Sequence, residues 1–189
     1  ANENIIENQK YPGEAHFLRA LYYFLLVTRF GDVPLVTDVS ARPEGLPRSP
    51  ASAVWNLIEE DLFFAAAHCL PKDKEEKGRA TSGAAWALLG KAFLFQANGS
   101  HSGDDYQQAK NAFLQVLEDP GYSLEDRYLN NFEEEREHGP ESIFEVEFNV
   151  DAGYSDEWSA GDDGSGHNEI TFRGREYGLM DWFTVYPTD

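Results

Sequence analysis

The sequence predicts a mainly helical protein with a loop-rich segment and a few short strands after residue 130. Three observations predict it. Apolar residues recur at spacings of three and four in four separate stretches before residue 120. Proline and glycine punctuate the intervals between those stretches. Beyond residue 130 the helical period gives out, and Ser142-Ile-Phe-Glu-Val-Glu-Phe148 alternates apolar with acidic residues, the period of a strand.

The first helix is predicted from about Gly13 to Phe30, with Ala15, Leu18, Tyr22, Leu25, Leu26 and Arg29 on one face. Gly31-Asp32 stops it, and Val33-Pro34 forces extended backbone just beyond. Residues 31 to 48 hold three prolines and Gly45, so they read as a long connecting loop. The second helix opens at Ser49-Pro50, a hydroxyl cap followed by a first-turn proline. Its stripe is Val54, Leu57, Ile58, Leu62, Ala65 and Ala66, and Pro71 ends it. The third runs from Thr81, a second hydroxyl cap, to about Gln96, with Ala85, Leu88, Leu89, Ala92 and Phe93 or Phe95 inward. A break at Asn98 to Gly103 leads to the fourth, capped by Asp104 or Asp105, with Tyr106, Ala109, Phe113, Val116 and Leu117 inward. Asp119-Pro120-Gly121 closes it. From Val150 to Tyr177 the chain carries Gly, Asp, Ser and Glu with interspersed rings and no helical period, which is loop.

The third and fourth helices fit the tetratricopeptide pattern of paired helices. Trp86, Leu89, Gly90 and Phe93 match its first helix, and Ala109 and Phe113 its second, with about seven extra residues between them. Gly90 would let the partner helix come close. Phe63, Ala66 and Pro71 repeat the tail of the pattern, with Ala20 and Tyr23 as the small and ring positions of the partner. Two such pairs make an α-solenoid, whose usual product is a binding surface. Residues 1–130 are therefore expected to be a tetratricopeptide-like helical region and 131–189 a loop-rich region, the whole forming part of one larger domain.

Composition narrows the function. The formal charge of −19, from 34 acidic and 15 basic residues, disfavours nucleic acid, a polyanion that needs clustered Lys and Arg. It equally disfavours docking of the protein body on an anionic lipid surface. Uncharged ligands, cations and basic partner surfaces remain. Cys69 is the single cysteine, which excludes an internal disulfide and a multi-thiolate zinc site. No apolar run approaches the roughly 18 residues of a membrane span. The chain begins Ala1-Asn2-Glu3, has Met180 as its only methionine and ends at Asp189, the expectation for a piece of a longer protein.

Chemistry-bearing residues are plentiful but unpaired. Glu59-Glu-Asp61 lies on one helix, where adjacent residues point about 100° apart. Glu133-Glu-Glu-Arg-Glu137 reads as a solvated face. His16, His68, His101, His138 and His167 lack metal-ligand spacing, and the acidic loop Asp151 to Glu169 lacks the order of an EF-hand. Gly164-Ser-Gly166 falls one residue short of a nucleophile elbow. No catalytic set, metal site or cofactor motif emerges. Four rings near or in the polar loop, Tyr154, Trp158, Tyr177 and Trp182, are the candidate ligand contacts. Rings of this kind stack on the C–H faces of sugars while neighbouring Asp, Asn and Arg meet the hydroxyls. The alternative for each is core anchoring of a long loop, and Trp182, between Met180 and Phe183, is best placed for it.

Gly13-Glu-Ala-His-Phe-Leu-Arg-Ala-Leu-Tyr-Tyr-Phe24 followed by Arg29-Phe-Gly-Asp-Val-Pro-Leu35 resembles the signature of SusD-like (RagB/SusD) proteins. Arg48-Ser-Pro50, Ile58-Glu-Glu-Asp-Leu62, Gly78-Arg-Ala-Thr81, Gly121-Tyr-Ser-Leu124 and Glu141-Ser-Ile-Phe-Glu145 follow in the family's order. The resemblance covers roughly residues 2 to 150. It implies a lipoprotein on the outer face of the outer membrane in Bacteroidetes, with tetratricopeptide-like helices. It implies a glycan ligand and a SusC-like, TonB-dependent transporter as partners, and binding without cleavage. Membrane attachment would come only from a lipid anchor that this chain does not carry. The family's helices mostly face the transporter, so rings on helices are expected to be packing. Sugar contacts vary among members, so none transfers residue by residue. A scaffold that holds a transporter or peptide on its helical repeats is the alternative function.

Overall fold

The computed structural model describes residues 3–38, 45–100 and 103–146. Four helices, α1 (Glu3–Phe30), α2 (Ala51–His68), α3 (Ser82–Ser100) and α4 (Gly103–Leu117), carry nearly all the regular structure among them. Each packs chiefly on its sequence neighbour, α1 on α2, α2 on α3 and α3 on α4. That is the nearest-neighbour pattern of a solenoid. Short 3₁₀ turns at Lys72–Lys74, Tyr128–Phe132 and Glu134–Arg136 punctuate the connections.

One continuous core runs through the helices. Phe17, Val54, Ile58, Leu62 and Leu89 are fully buried in it, with Ala20, Ala65, Ala85 and Ala92 as the small residues between them. Alternation of large and small side chains lets the helices interdigitate at crystal-like density. The repeat glycine acts as its pattern predicts. A Cβ on Gly90 would come within 2.7 Å of the Phe113 ring, so only glycine leaves that ring its seat on α3. Ala20 and Tyr23, the matching positions of the first pair, are buried, whereas Phe63 is 48% exposed.

α1 departs from expectation in two ways. It begins ten residues before Gly13 and runs through Pro12. An interior proline removes a helical hydrogen bond, yet the helix continues through it. Gly13 presses on α2, where a Cβ would meet Cys69 Sγ at 3.1 Å. Its inward face is also the other one. Phe17, Ala20, Tyr23, Phe24 and Val27 are buried, while Leu18, Leu25 and Leu26 are exposed and Tyr22 is 64% exposed. α1 is apolar on both sides, and periodicity finds stripes without saying which one the core takes. At its end Gly31 adopts φ 65° and donates to Val27 O at 3.0 Å, the left-handed cap of a glycine stop.

The loop that follows is pinned at both ends. Val33 and Ser49 form an isolated antiparallel bridge, and Val36 N–H donates to the Tyr23 hydroxyl at 2.7 Å. Ser49 does not cap α2. The cap position is Pro50, with no side-chain bond, and the Asp32 carboxylate accepts from Ala51 N–H at 2.8 Å instead. Thr81 does cap α3, accepting from Ala84 N–H at 3.0 Å. α3 continues past Gln96 to Ser100, with Phe93 buried and Phe95 exposed. α4 buries Ala109, Ala112 and Val116, but Tyr106 is exposed and Leu117 is 77% exposed, contrary to the predicted stripe. Beyond it, Tyr122 fills the gap left by Gly83, where a Cβ would overlap its ring.

The segment expected to be a strand, from Ser142, has no ladder partner among the described residues as far as Val146. Its ring Phe144 packs edge-on against Phe17 at 4.9 Å between centroids. The last two residues of the alternating run, Glu147 and Phe148, lie outside the described residues.

Candidate functional site

The motif residues turn out to hold one another. Asp61, on α2, is a carboxylate with its side chain 2% exposed. Arg19 Nε donates to its Oδ2 at 2.7 Å and Arg19 Nη2 to its Oδ1 at 2.6 Å. His16 Nδ1 lies 2.6 Å from the same Oδ1. The hydrogen bond to Asp61 raises the Arg19 pKa further above its already high value. A carboxylate so enclosed is compensated as burial requires, and neither oxygen is left for a ligand. The other members of that acidic run face elsewhere. Glu59 accepts from Gln96 Nε2 at 2.7 Å, its carboxyl pKa raised mainly by burial, and Glu60 is exposed. The run therefore brings no two carboxylates together.

A second cluster joins the N-terminal motif to Gly78-Arg-Ala-Thr81. Arg79 Nε donates to Glu14 Oε1 at 3.0 Å and Arg79 Nη2 to Glu14 Oε2 at 2.5 Å, a two-pronged fork. Lys10 Nζ donates to Glu75 Oε1 at 3.1 Å, and that bond is the main reason the Lys10 pKa is raised. Thr81 and Tyr122 share a hydrogen bond of 2.7 Å between hydroxyls. Lys72 Nζ donates at 2.6 Å to the carbonyls of both Gly139 and Ser142, tying the later segment down. Burial lowers the Lys72 pKa.

Two concavities stand out among the described residues. The first, of about 220 Å³, lies between the 72–81 connection and residues 138–145, with Glu75, Arg79, Thr81, His138, Phe144 and Glu145 among its walls. Glu75 Oε2 is buried there without a hydrogen-bond partner among the described residues. These walls suit a small polar group that can donate a hydrogen bond. The second, of about 260 Å³, lies between α2, α3 and α4. Phe63 and Trp86 meet edge to face at its side, 6.0 Å apart, opposite Gln108, Asn111 and Gln115. Sequence reasoning missed this groove, although three amides at i, i+3 and i+7 on α4 were a legible signal.

The comparisons with known proteins agree with one another. The sequence profile of a SusD-like family described as starch-binding and associating with the outer membrane matches residues 1–94. SusD-like protein P25 of Formosa agariphila is 28% identical over 156 residues, 80% of this chain and 28% of that protein. A laminarin-binding SusD-like protein of known structure is 35% identical, with a TM-score of 0.63 over 75% of this chain and 31% of the other. The chain is SusD-like. A SusD homologue from Bacteroides thetaiotaomicron adds the fold alone, at 23% identity, with a TM-score of 0.73 over 82% of this chain and 31% of its own.

The SusD-like chain thus spans about a quarter to just over a third of the relatives it matches, 26% to 36% of the curated ones. Its family is associated with the outer membrane. Among the described residues no helix is long and apolar enough to cross a membrane, and no three His, Cys, Asp or Glu side chains are grouped to hold a metal ion. The four rings chosen as glycan contacts, Tyr154, Trp158, Tyr177 and Trp182, lie outside the described residues, as does the acidic loop from Asp151 to Glu169. What the described residues add is the scaffold. Its shared motifs meet as ion pairs, caps and close contacts within the helical body.

Proposed function

We propose that this SusD-like chain belongs to a non-catalytic, cell-surface glycan-binding component of a SusC/SusD-type nutrient import system. The observation that carries the reading is its 35% identity to a laminarin-binding SusD-like protein. The family's description as starch-binding points to the same class of ligand. In this reading the complete protein is lipid-anchored on the extracellular face of the outer membrane and caps a SusC-like, TonB-dependent transporter. Residues 1–130 are its tetratricopeptide-like part, and residues 131–189 are loop-rich and present Tyr154, Trp158, Tyr177 and Trp182 to the glycan.

Affinity electrophoresis in gels containing laminarin, starch or other plant, host and microbial polysaccharides tests it, with Trp158→Ala run alongside. Retardation by one polysaccharide that disappears in the variant supports both the ligand class and the ring. Failure of every polysaccharide to retard the chain overturns the reading for this chain. Release of reducing ends from any of them would make it a hydrolase instead.

A second reading, a protein-interaction scaffold, is favoured by one observation. α1 carries Tyr11, Leu18, Tyr22, Leu25 and Leu26 on its exposed side. An exposed stripe of large apolar side chains is ordinarily covered by a partner. Leu18→Glu with Tyr22→Glu should leave glycan retardation intact and abolish co-purification with the transporter if that face is the contact.

A further inference from the structure

We infer that the groove between α2, α3 and α4 is an additional subsite for one neutral sugar ring, built wholly from helix residues. The inference rests on the glycan-binding reading above and extends it to a place that reading does not use. Its first support is charge. In a chain of net −19, the groove's lining carries no ionisable side chain at all. A cation or a basic peptide would find nothing there to pair with, whereas a neutral ligand faces no unpaired charge.

The chemistry of the two walls is the second support. On one side stand Phe63, half exposed, and Trp86, with their rings at 85° to one another. Ring faces and edges of this kind take the C–H surface of a pyranose. On the other side α4 presents Gln108, Asn111 and Gln115, all exposed. Each amide offers a carbonyl acceptor and two N–H donors, and a sugar hydroxyl both donates and accepts. The side-chain amides of Gln108 and Gln115 make no hydrogen bond to a described residue, so their donors and acceptors are open. Asn111 Oδ1 accepts from Gln107 Nε2 at 2.9 Å, which occupies one acceptor site of the Asn111 amide and leaves its two N–H donors for a ligand.

Size and rigidity complete the case. A volume of about 260 Å³ falls just under the ~300 Å³ at which pockets begin to hold drug-sized ligands. One ring fits it better than an extended chain. The walls are held at their spacing by the close contact of Gly90 with Phe113, at the crossing of α3 and α4. The groove is therefore formed before anything binds, which lowers the ordering cost of binding.

Site-resolved NMR on the whole 189-residue chain tests this. The side-chain NH₂ signals of Gln108, Asn111 and Gln115 and the Trp86 indole N–H would be followed during titration with laminaribiose and maltose, with mannitol as an open-chain control. The expected result is saturable movement of these signals at millimolar disaccharide and none with mannitol. In Gln108→Leu/Gln115→Leu the apparent affinity should fall at least about fivefold with an unchanged melting temperature, and Phe63→Ala should weaken it independently. Groove signals that stay still overturn the inference. If the same chain is nevertheless retarded by a polysaccharide, the glycan-binding reading survives that failure; if it is not, both fall. Equal movement with mannitol, or stronger movement with a neutral peptide, also overturns the sugar assignment.

Discussion

Gly90 and Phe113 occupy one space, since a side chain on Gly90 would bring its Cβ to 2.7 Å from the ring. Overpacking of this kind costs typically ~1–3 kcal/mol. Replacing a mid-helix glycine by alanine gains about 1 kcal/mol of helix propensity in the other direction. Gly90→Ala is therefore expected to be destabilising by about 1 kcal/mol net in urea unfolding. Phe113→Leu should recover part of that loss in the Gly90→Ala background while being destabilising in the wild type. Simple additivity of the two would remove the steric explanation.

The fork between Arg79 and Glu14 makes lysine a poor substitute at position 79. Lys would keep the charge but lose the two parallel N–H donors. Arg79 is about a third exposed, so solvent screens the pair and the expected loss for Arg79→Lys is modest, about 1 kcal/mol. A double-mutant cycle with Glu14→Gln should return a coupling of roughly 0.5 kcal/mol or more. A coupling near zero would show that the fork merely accompanies the packing of α1 on the 72–81 connection.

Asp61 has more at stake because its carboxylate is the buried partner. Breaking a buried pair commonly costs ~3–5 kcal/mol. His16 would remain beside Asp61 after Arg19→Ala, and Arg19 itself is 31% exposed, so about 2 kcal/mol is the discounted expectation. Adding Asp61→Asn to Arg19→Ala should be less costly than the sum of the single changes. Equal sums in chemical denaturation would mean that Arg19 and Asp61 contribute to stability independently of one another.

Cys69 gives a readout of folding by chemistry. Burial, reinforced by Glu14 and Glu75, pushes its thiol from 9.0 up to about 12. Only the thiolate reacts, so at pH 8 the folded protein holds about one part in ten thousand of the reactive form. Ellman's reagent should label Cys69 far more slowly in buffer than in urea, by at least about 100-fold. The sign for stability follows. The folded state keeps its proton where the unfolded chain loses it, so stability falls as the pH rises above 9.0 and stops falling near 12. Cys69→Ala should flatten that alkaline decline, read from urea midpoints at several pH values. An unchanged slope would assign it to other groups, Lys10 and Tyr122 being the first to test.

Much of the scaffold was legible because local rules and packing agree there. The stop at Gly31, the Thr81 cap, the close-approach role of Gly90 and the inward stripe of α2 each follow from a residue's own chemistry. The solenoid class followed from the repeat pattern, and the family from the order of its motifs. Other features needed the assembled chain. Periodicity marked an apolar stripe on α1 through Leu18 and Tyr22, yet α2 and α3 cover Phe17, Ala20 and Phe24, because the choice between two apolar faces is made by the partner helix. Ser49 looked like a cap for α2, but the bridge of Val33 with Ser49 carries Asp32 to that helix end. The first helix was expected from about Gly13, but it begins at Glu3 and runs through Pro12. The amides of α4 stand opposite Phe63 and Trp86 only in the folded chain. Four helical segments, the chemistry they carry and the family they belong to could be read along the chain, short of the first ten residues of α1. Which faces meet was set by packing, since burial is a property of two surfaces together and each helix encodes only its own.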